Sequence, residues 1–547
     1  MQAASHNCDA IVVGAGLSGS IVTLSLALWG FRVLLIETGG RRPDAPAPQA
    51  WLRKIGHRFA GAGAHPDPDR WDAPILHYPH RNSRTPRETE AILGRGVGGS
   101  STLYAAALGR MRRKDFEVSR RGAPTDLEQP LPNAWPISFN EFRIYYRRAE
   151  ALLRVAGERD PLDPDDDSDP RRPPELSPRD AAIREQLTRN GQHPYRLRVG
   201  FDYRPGCAEC PGRRCPIGCK ADGESRALAA ALATGRVTLK TDATVETVAQ
   251  APEGVSVRLR SRSGEIETHT AATLALAAGA LNTPLILARS RDLWPDARPP
   301  EMLGRGLMFH ISEIFAVRAP RRLARSNVRK TLALRDFYDY GAESLGEVQS
   351  LGVDLSTGQA MHALREMSSA RLIRGLKGAA EFLRPFAWAA AKIVGPAPVF
   401  ATITEDLPYA HNRVWEEPGA KPGAPARIAV CYERHPWFRV ESKRMRAQLR
   451  RIFAPFPILF FARSAAPNMG HPMGTCRMGT DPETSVVDPS GRLWGFPNIY
   501  VADASAFPSS SGVGPSLTVA AHALRVADQI AMPAADSARS AAAASPA

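Results

Sequence analysis

Residues 9–40 read "DAIVVGAGLSGSIVTLSLALWGFRVLLIETGG" and carry the clearest fold signal of the chain. An apolar run leads into Gly14, Gly16 and Gly19, and a second apolar run ends at Glu37. Glycines in a G-x-G-x-x-G pattern between a strand and a helix, with an acidic residue about 20 positions later, are typical of a dinucleotide-binding βαβ unit. The stretch therefore predicts a Rossmann-like domain. Its predicted elements are strands at residues 10–13 and 33–36 and a helix that ends at Trp29.

Each residue of this pattern has a physical reason. Gly14 permits a tight turn, Gly16 lets the backbone approach a pyrophosphate, and Gly19 lets the helix pack on the strand. Leu17 and Ser18 lie at the helix N-terminus, whose N–H groups face the phosphates. We expect the Glu37 carboxylate to accept hydrogen bonds from a ribose diol.

Composition indicates a globular chain and gives little support to nucleic-acid binding. The chain has 547 residues, 43% of them apolar, with 71 basic and 56 acidic residues and a net charge of +15. No helix-turn-helix, zinc-finger or single-strand-binding signature accompanies that charge. We see no secretory signal at the N-terminus and no run of about 18 uncharged apolar residues. We therefore expect a cytoplasmic protein, with peripheral membrane contact as an alternative.

Two further zones carry information. The stretch "GRGVGGSSTLYAAALGR", residues 94–110, is too rich in glycine for a helix interior, and such density lets backbone approach a ligand. The C-terminal block, residues 471–530, predicts a turn, a strand at 499–502, a loop opening with Asp503, and a helix at about 515–530. The Pro/Asp-rich residues 159–180 predict a surface loop.

These zones, in this order, resemble the glucose-methanol-choline (GMC) family of FAD-dependent oxidoreductases, and bacterial members related to long-chain alcohol oxidases most of all. The stretches "NAWPISFNEFRIYYRRAEALLRVAG", "VTLKTDATVETV", "LALAAGALNTPLIL" and "LGRGLMFH" also match landmarks of that family. The resemblance implies an α/β fold, in which a Rossmann-like FAD-binding domain is interleaved with an α+β substrate-binding domain.

The resemblance also implies a division of the chain. The expected parts are a first FAD-binding segment at 1–157, a loop-rich connection at 158–199, a second FAD-binding segment at 200–310, a substrate-binding domain at 311–475, a third FAD-binding segment at 476–531, and a disordered tail at 532–547.

The motif "HPMGT" places His471 where the family has its catalytic base. An imidazole suits that role because its ordinary pKa, about 6.5, lies near working pH. Across from it the family has a second His or Asn, but "SGVGPSLT" places Gly514 there. Glycine offers the substrate no side-chain hydrogen bond. His522, on the last helix, is expected to be packed rather than catalytic.

The resemblance implies a non-covalent FAD site, since "GGSSTLYA" lacks the histidine that tethers FAD in some relatives. Asp503 and Ala504 are expected near the phosphates and ribityl chain, Val245 at the adenine, and Gly514 with Pro515 at the pyrimidine edge. The complete set of expected cofactor residues is Gly14, Gly16, Leu17, Ser18, Gly19, Glu37, Gly94, Gly96, Gly98, Gly99, Ser100, Val245, Ala278, Asp503, Ala504, Gly514 and Pro515.

Four cysteines crowd into "CAECPGRRCPIGC", with spacing C-x2-C-x4-C-x3-C. Ferredoxin-type ligation uses a shorter middle gap, and four thiolates also suit structural zinc. A metal or cluster, disulfides and reduced thiols all remain open for Cys207, Cys210, Cys215 and Cys219, and no metal site is predicted.

Residues 361–395 interleave large apolar residues with Arg and Lys, as in a basic helix on a membrane surface or a core-facing helix with a solvated face. The expected function is oxidation of a bulky or lipophilic alcohol by hydride transfer to the flavin, with oxygen or another electron acceptor. A non-redox enzyme of the same family, such as a lyase or a decarboxylase, and a non-catalytic FAD-binding partner protein are the alternatives.

Overall fold

The description of the fold rests on a computed structural model. It describes residues 8–41, 75–78, 87–90, 93–117, 130–294, 298–319, 329–338, 346–355, 385, 388–389, 397–419, 426–434, 438–462 and 464–544.

A five-stranded parallel sheet forms the centre of the molecule. Its spatial order is β20 (Ile499–Val501), β10 (Thr273–Leu276), β1 (Ala10–Val13), β2 (Val33–Ile36) and β6 (Val237–Lys240). All neighbouring pairs are parallel. The first two strands along the chain consist only of buried apolar residues, as expected where helices cover both faces.

Helices cover this sheet, and a small antiparallel sheet is inserted in the chain between two of its strands. The helices are α1 (Leu17–Leu28), α2 (Phe139–Leu153), α4 (Ala229–Ala233), α5 (Gly279–Arg289) and α7 (Ser516–Ala544). The inserted sheet, between β6 and β10, consists of β7 (Ala243–Ala251), β8 (Gly254–Ser261) and β9 (Ile266–Ala271). The strands of the parallel sheet thus come from three separate stretches of chain, as an interleaved domain requires.

The second large layer is an antiparallel sheet of six strands. Its order is β18 (Ile458–Phe460), β12 (Ile314–Val317), β15 (Pro398–Ile403), β14 (Glu347–Asp354), β13 (Leu332–Leu334) and β5 (Tyr195–Arg196). Helices α3 (Pro178–Arg189) and α6 (Phe438–Ile452) pack on it through one apolar cluster, which includes Ile183, Phe315, Phe400 and Leu449. An antiparallel sheet with helices on one side agrees with the expected α+β domain.

Two smaller sheets complete the described strands. One pairs β11 (Met308–Ser312) with β19 (Ala466–Met473), and the other has the order β16 (Arg413–Glu417), β17 (Arg427–Cys431), β3 (Ile75–Tyr78) and β4 (Arg87–Glu90). The pair of β11 and β19 is antiparallel. It carries the histidines described below.

Residues 159–180 correct one prediction. The segment is irregular up to Ser177, as expected, but its central carboxylates are not on the surface. Asp160 and Asp166 are buried because each forms an ion pair with a buried arginine: Arg112 Nη2 lies 2.7 Å from Asp160 Oδ2, and Arg198 pairs with Asp166. Composition predicts a solvated loop. Arginines that are distant in sequence but in contact in the fold offset the desolvation of these carboxylates.

Residues 532–544 correct a second prediction. The tail from residue 532 is predicted to be disordered, but α7 continues through Ala544. The tail is rich in alanine, the residue with the highest helix propensity, which favours continuation of the helix although Pro533 lies within it.

The basic amphipathic residues 361–395 lie outside the described residues, apart from 385 and 388–389. Among the helices that the structure describes, none combines the length and the apolar character needed to cross a membrane.

Candidate functional site

The turn from β1 into α1 is shaped for close backbone approach. Gly14 has φ +100°, and a Cβ there would lie 2.5 Å from the Ala277 carbonyl oxygen. A Cβ on Gly19 would lie 1.8 Å from the Gly14 carbonyl oxygen, so side chains are excluded at both positions. At Gly16 no heavy atom lies within 4 Å of the Cβ position. The turn is therefore tight within the protein and open on the side where a ligand would lie.

The start of α1 fits an anion. Gly16 is the N-cap, and no side chain caps the helix. The N–H groups of the first turn, at Leu17 and Ser18, are thus left for another acceptor, and phosphate oxygens are a common one. The Ser18 hydroxyl is already engaged, since it donates to the Ala502 carbonyl oxygen.

Glu37 joins the two glycine-rich stretches. Its carboxylate accepts hydrogen bonds from the backbone N–H groups of Ala15 at 2.8 Å, Gly39 at 2.9 Å and Gly96 at 3.2 Å. Each carboxylate oxygen can accept more than one hydrogen bond, so these bonds orient the group and leave it able to accept from a diol.

The second glycine-rich stretch lies against the first turn. The Gly98 N–H donates to the Ala15 carbonyl at 2.8 Å, and a Cβ on Gly99 would lie 2.9 Å from the Gly16 Cα. Gly94 donates its N–H to the Ser100 hydroxyl at 3.1 Å. The structure thus brings together the predicted residues 14–19, Glu37 and 94–100.

Asp503 holds the start of α5 in place. Its carboxylate accepts from the Gly279 N–H at 2.8 Å, the Thr283 hydroxyl at 2.6 Å and the Ser505 N–H at 2.8 Å. Burial raises the pKa of this carboxyl group. Ala278 is the N-cap of α5 and Ala504 opens a short 3-10 turn, so both lie beside this carboxylate.

Val245, the residue expected at the adenine, lies on β7, which begins beside Glu37, because the Ala243 N–H donates to the Glu37 carbonyl at 3.1 Å. It is buried, its β8 partner is Leu259, and its carbonyl accepts from Arg289 Nη2 at 3.2 Å.

His471 lies on β19 and is paired with a second histidine that the sequence reasoning missed. His471 Nδ1 lies 2.9 Å from His310 Nδ1, and the two rings are perpendicular, with centroids 5.1 Å apart. His310 Nε2 lies 2.9 Å from the Ser510 carbonyl oxygen. Strand pairing of β11 with β19 brings these side chains together from positions 161 residues apart. The only signal in the sequence is the stretch "LGRGLMFH", which ends at His310.

Desolvation lowers the pKa of both imidazoles, although His310 is buried and His471 only half-buried. Desolvation lowers the pKa of His310 to about 4. Desolvation, with smaller contributions from His310 and Lys330, holds the pKa of His471 well below its usual range. Lys330 is itself buried, and desolvation lowers its pKa to about 8. A neutral imidazole can accept a proton, which is what a general base requires.

Gly514 faces open space. No heavy atom lies within 4 Å of the Cβ position, although the residue itself is buried. It precedes Pro515 and the first residue of α7, and it follows Ser510, whose carbonyl contacts His310, in the same loop. An internal position with no neighbouring atoms is where a bound molecule has room.

His522 is packed, as expected. Its Nε2 donates to the Val501 carbonyl at 3.1 Å, it lies against the Phe507 ring, and burial lowers its pKa to about 3.

The four clustered cysteines lie side by side as free thiols. Cys219 Sγ is 3.0 Å from Cys207 Sγ and 3.3 Å from Cys215 Sγ. The neighbouring Lys220 ammonium donates to the Tyr104, Cys210 and Arg213 carbonyls. Within the described ranges, no group of three or more His, Cys, Asp or Glu side chains has the geometry of a metal site.

Comparisons with known proteins agree with this architecture. Residues 426–523 match the family model for GMC oxidoreductase. Paromamine 6'-oxidase of Streptomyces fradiae is 28% identical over 560 residues, which cover 96% of this chain and 91% of that protein. The 2-methyl-1,2-propanediol dehydrogenase of Mycolicibacterium austroafricanum is 27% identical, and the alignment covers 97% of this chain and 96% of that protein.

A solved structure extends the likeness to the fold. Pyridoxine 4-oxidase from Mesorbium loti superposes with a TM-score of 0.62 at 20% identity, covering 96% of this chain and 99% of that one. The predicted fold class and family are confirmed. Through residues 426–523 and its relatives along nearly its whole length, the chain is similar to GMC-type oxidoreductases, and these findings support an oxidoreductase that acts on CH–OH donors.

Proposed function

We propose that this chain oxidises a bulky alcohol to a carbonyl compound, with non-covalently bound FAD and with His471 as the base. The observation that carries the proposal is the half-buried His471 imidazole, which contacts His310 and whose pKa is lowered, beside a loop whose Gly514 faces open space. FAD, when bound, supplies the hydride acceptor. Residues 14–19, Glu37 and 94–100 would hold its adenosine and phosphate portions.

The residues of the chain supply binding and proton transfer. An alcohol loses its hydroxyl proton as the C–H bond breaks, and the His471 imidazole accepts that proton. Desolvation lowers the pKa of the His471 imidazole, so the base stays neutral at pH values where an exposed histidine would be partly protonated. Gly514 contributes room in place of a hydrogen bond.

The substrate is proposed only as a class. Two of the relatives are named for paromamine and for 2-methyl-1,2-propanediol, one large and one small polar alcohol, and one is called an oxidase and the other a dehydrogenase. An anaerobic screen should therefore span polar and lipophilic alcohols of varied size, with flavin absorbance as the readout. Bleaching identifies substrates, and the rate of recovery in air distinguishes oxygen from another electron acceptor.

The decisive experiment uses His471→Ala with a substrate from that screen. We expect the variant to retain FAD and to reduce it about 10²- to 10⁴-fold more slowly, as for a lost general base. His193→Ala is the matched control, because His193 is exposed and pairs with Asp336 rather than with His310 or His471. An unchanged reduction rate in His471→Ala would refute the assignment of the base. A flavin that no alcohol bleaches, with a non-redox turnover, would favour the lyase alternative.

A further inference from the structure

In the pair His310 and His471, the hydrogen-bond partners determine which ring nitrogen of each histidine carries a proton. A backbone carbonyl oxygen can only accept a hydrogen bond. His310 Nε2 lies 2.9 Å from the Ser510 carbonyl, so Nε2 carries a proton. Because His310 is buried and neutral, its Nδ1 must then carry the lone pair.

The tautomer of His310 determines the tautomer of His471. His310 Nδ1 accepts a hydrogen bond from His471 Nδ1, which lies at 2.9 Å and must therefore be protonated. A neutral imidazole has one N–H, so Nε2 of His471 keeps its lone pair. That nitrogen is the one free to accept a proton.

Ser510 is held firmly enough to act as the reference point. Its hydroxyl donates to the Asp406 carbonyl at 2.8 Å and accepts from the Asp406 N–H at 2.8 Å. Both bonds are buried, so they orient the backbone that presents the Ser510 carbonyl to His310.

Asn468 provides the competing arrangement. Its Nδ2 lies 3.4 Å from His471 Nδ1, and its Oδ1 already accepts from the Gly470 N–H at 3.1 Å. If Asn468 donated to Nδ1, the proton of His471 would lie on Nε2 and the base would be blocked. The contact of 2.9 Å with His310 is well within hydrogen-bond range and 3.4 Å is outside the usual limit, so the His310 contact decides.

We propose that His310 is a positioning residue, which transmits the orientation of the Ser510 carbonyl to His471 and leaves Nε2 of His471 as the proton acceptor. The inference rests on the proposed function for its catalytic consequence. Its structural part, the position of one proton, can be measured in the protein without substrate.

The test compares three variants. His310→Leu removes the acceptor, and only the Asn468 amide then faces His471 Nδ1. His310→Asn retains an acceptor oxygen close to the position of Nδ1. Asn468→Ala is the matched control, because it removes the competing donor and keeps His310.

The first readout is ¹⁵N NMR of histidine-labelled, FAD-loaded protein without substrate, with the His471 signals assigned by their loss in His471→Ala. We expect the proton on Nδ1 in the parent protein, in His310→Asn and in Asn468→Ala, and on Nε2 in His310→Leu. A proton on Nε2 in the parent protein, or on Nδ1 in His310→Leu, would overturn the inference.

The second readout is the anaerobic rate of flavin reduction. We expect about a 10- to 100-fold loss in His310→Leu at unchanged FAD content, and recovery of most of it in His310→Asn. Equal losses in the Leu and Asn variants would assign His310 a packing role and overturn the proposal. If the proton moves as expected but His471→Ala reduces flavin at the parent rate, the tautomer assignment stands and the proposed base fails.

Discussion

Replacing Gly514 by asparagine tests what the missing side chain does for this enzyme. The Cβ position has no heavy atom within 4 Å, and the backbone there is not in the left-handed region, so an added Cβ meets no clash. We therefore expect Gly514→Asn and Gly514→Ala to fold, to bind FAD, and to keep their free energy of unfolding within about 0.5 kcal/mol of the parent.

The expected kinetic effect depends on substrate size. The carboxamide fills space that a bulky alcohol would use, and loss of fit in a pocket costs about 1–3 kcal/mol, or roughly 10- to 200-fold in kcat/KM. A small alcohol keeps its space and gains a hydrogen bond worth about 0.5–1.5 kcal/mol, so its kcat/KM should be unchanged or raised by up to about tenfold. Gly514→Ala should show a weaker loss for the bulky alcohol and no gain for the small one.

The assay is steady-state kcat/KM for one large and one small alcohol in the three proteins, with flavin content and unfolding midpoints measured in parallel. If kcat/KM for both alcohols rises together or falls together in Gly514→Asn, Gly514 does not shape the pocket. The reasoning from open space to substrate size is then refuted.

Other predictions concern the cofactor and the core. Acid precipitation should release the yellow colour into the supernatant, since no histidine lies in "GGSSTLYA"; a coloured, washed pellet would contradict this. Gly19→Ala should cost more than about 3 kcal/mol in denaturant unfolding, because its Cβ would lie 1.8 Å from a carbonyl oxygen, whereas Gly16→Ala should fold and lose FAD affinity. The pKa of His522 is about 3 in the folded protein and about 6.5 in the unfolded chain. Below pH ~6.5 only the unfolded chain protonates this histidine, so the free energy of unfolding decreases as the pH is lowered. Between pH 7 and 5 the parent should lose about 2 kcal/mol more than His522→Gln, and equal losses would show that His522 is protonated in the fold.

Local rules account for the parts of the fold that sequence predicts well. Strands β1 and β2 and the turn between β1 and α1 follow from apolar runs and glycine spacing, because backbone conformation at Gly14 and close approach at Gly19 depend on near neighbours. The same spacing places Glu37 beside the first turn. The position of His471 in its motif was also sufficient to predict a base.

Other features depend on contacts between distant parts of the chain. Burial of Asp160 and Asp166 follows from arginines that fold back against them, which composition does not reveal. The open space at Gly514 is a property of everything around it, so only the assembled structure shows it.

Local sequence patterns were enough to predict a dinucleotide site at β1, α1 and Glu37 and to find one histidine in the motif of a GMC-type base. The tautomer that we propose for that histidine rests on contacts that only the folded chain brings together. The partner, His310, lies on another strand, and its own proton is placed by the Ser510 carbonyl. Hydrogen-bond directions between residues far apart in sequence arise from strand pairing and burial, and no local pattern encodes them.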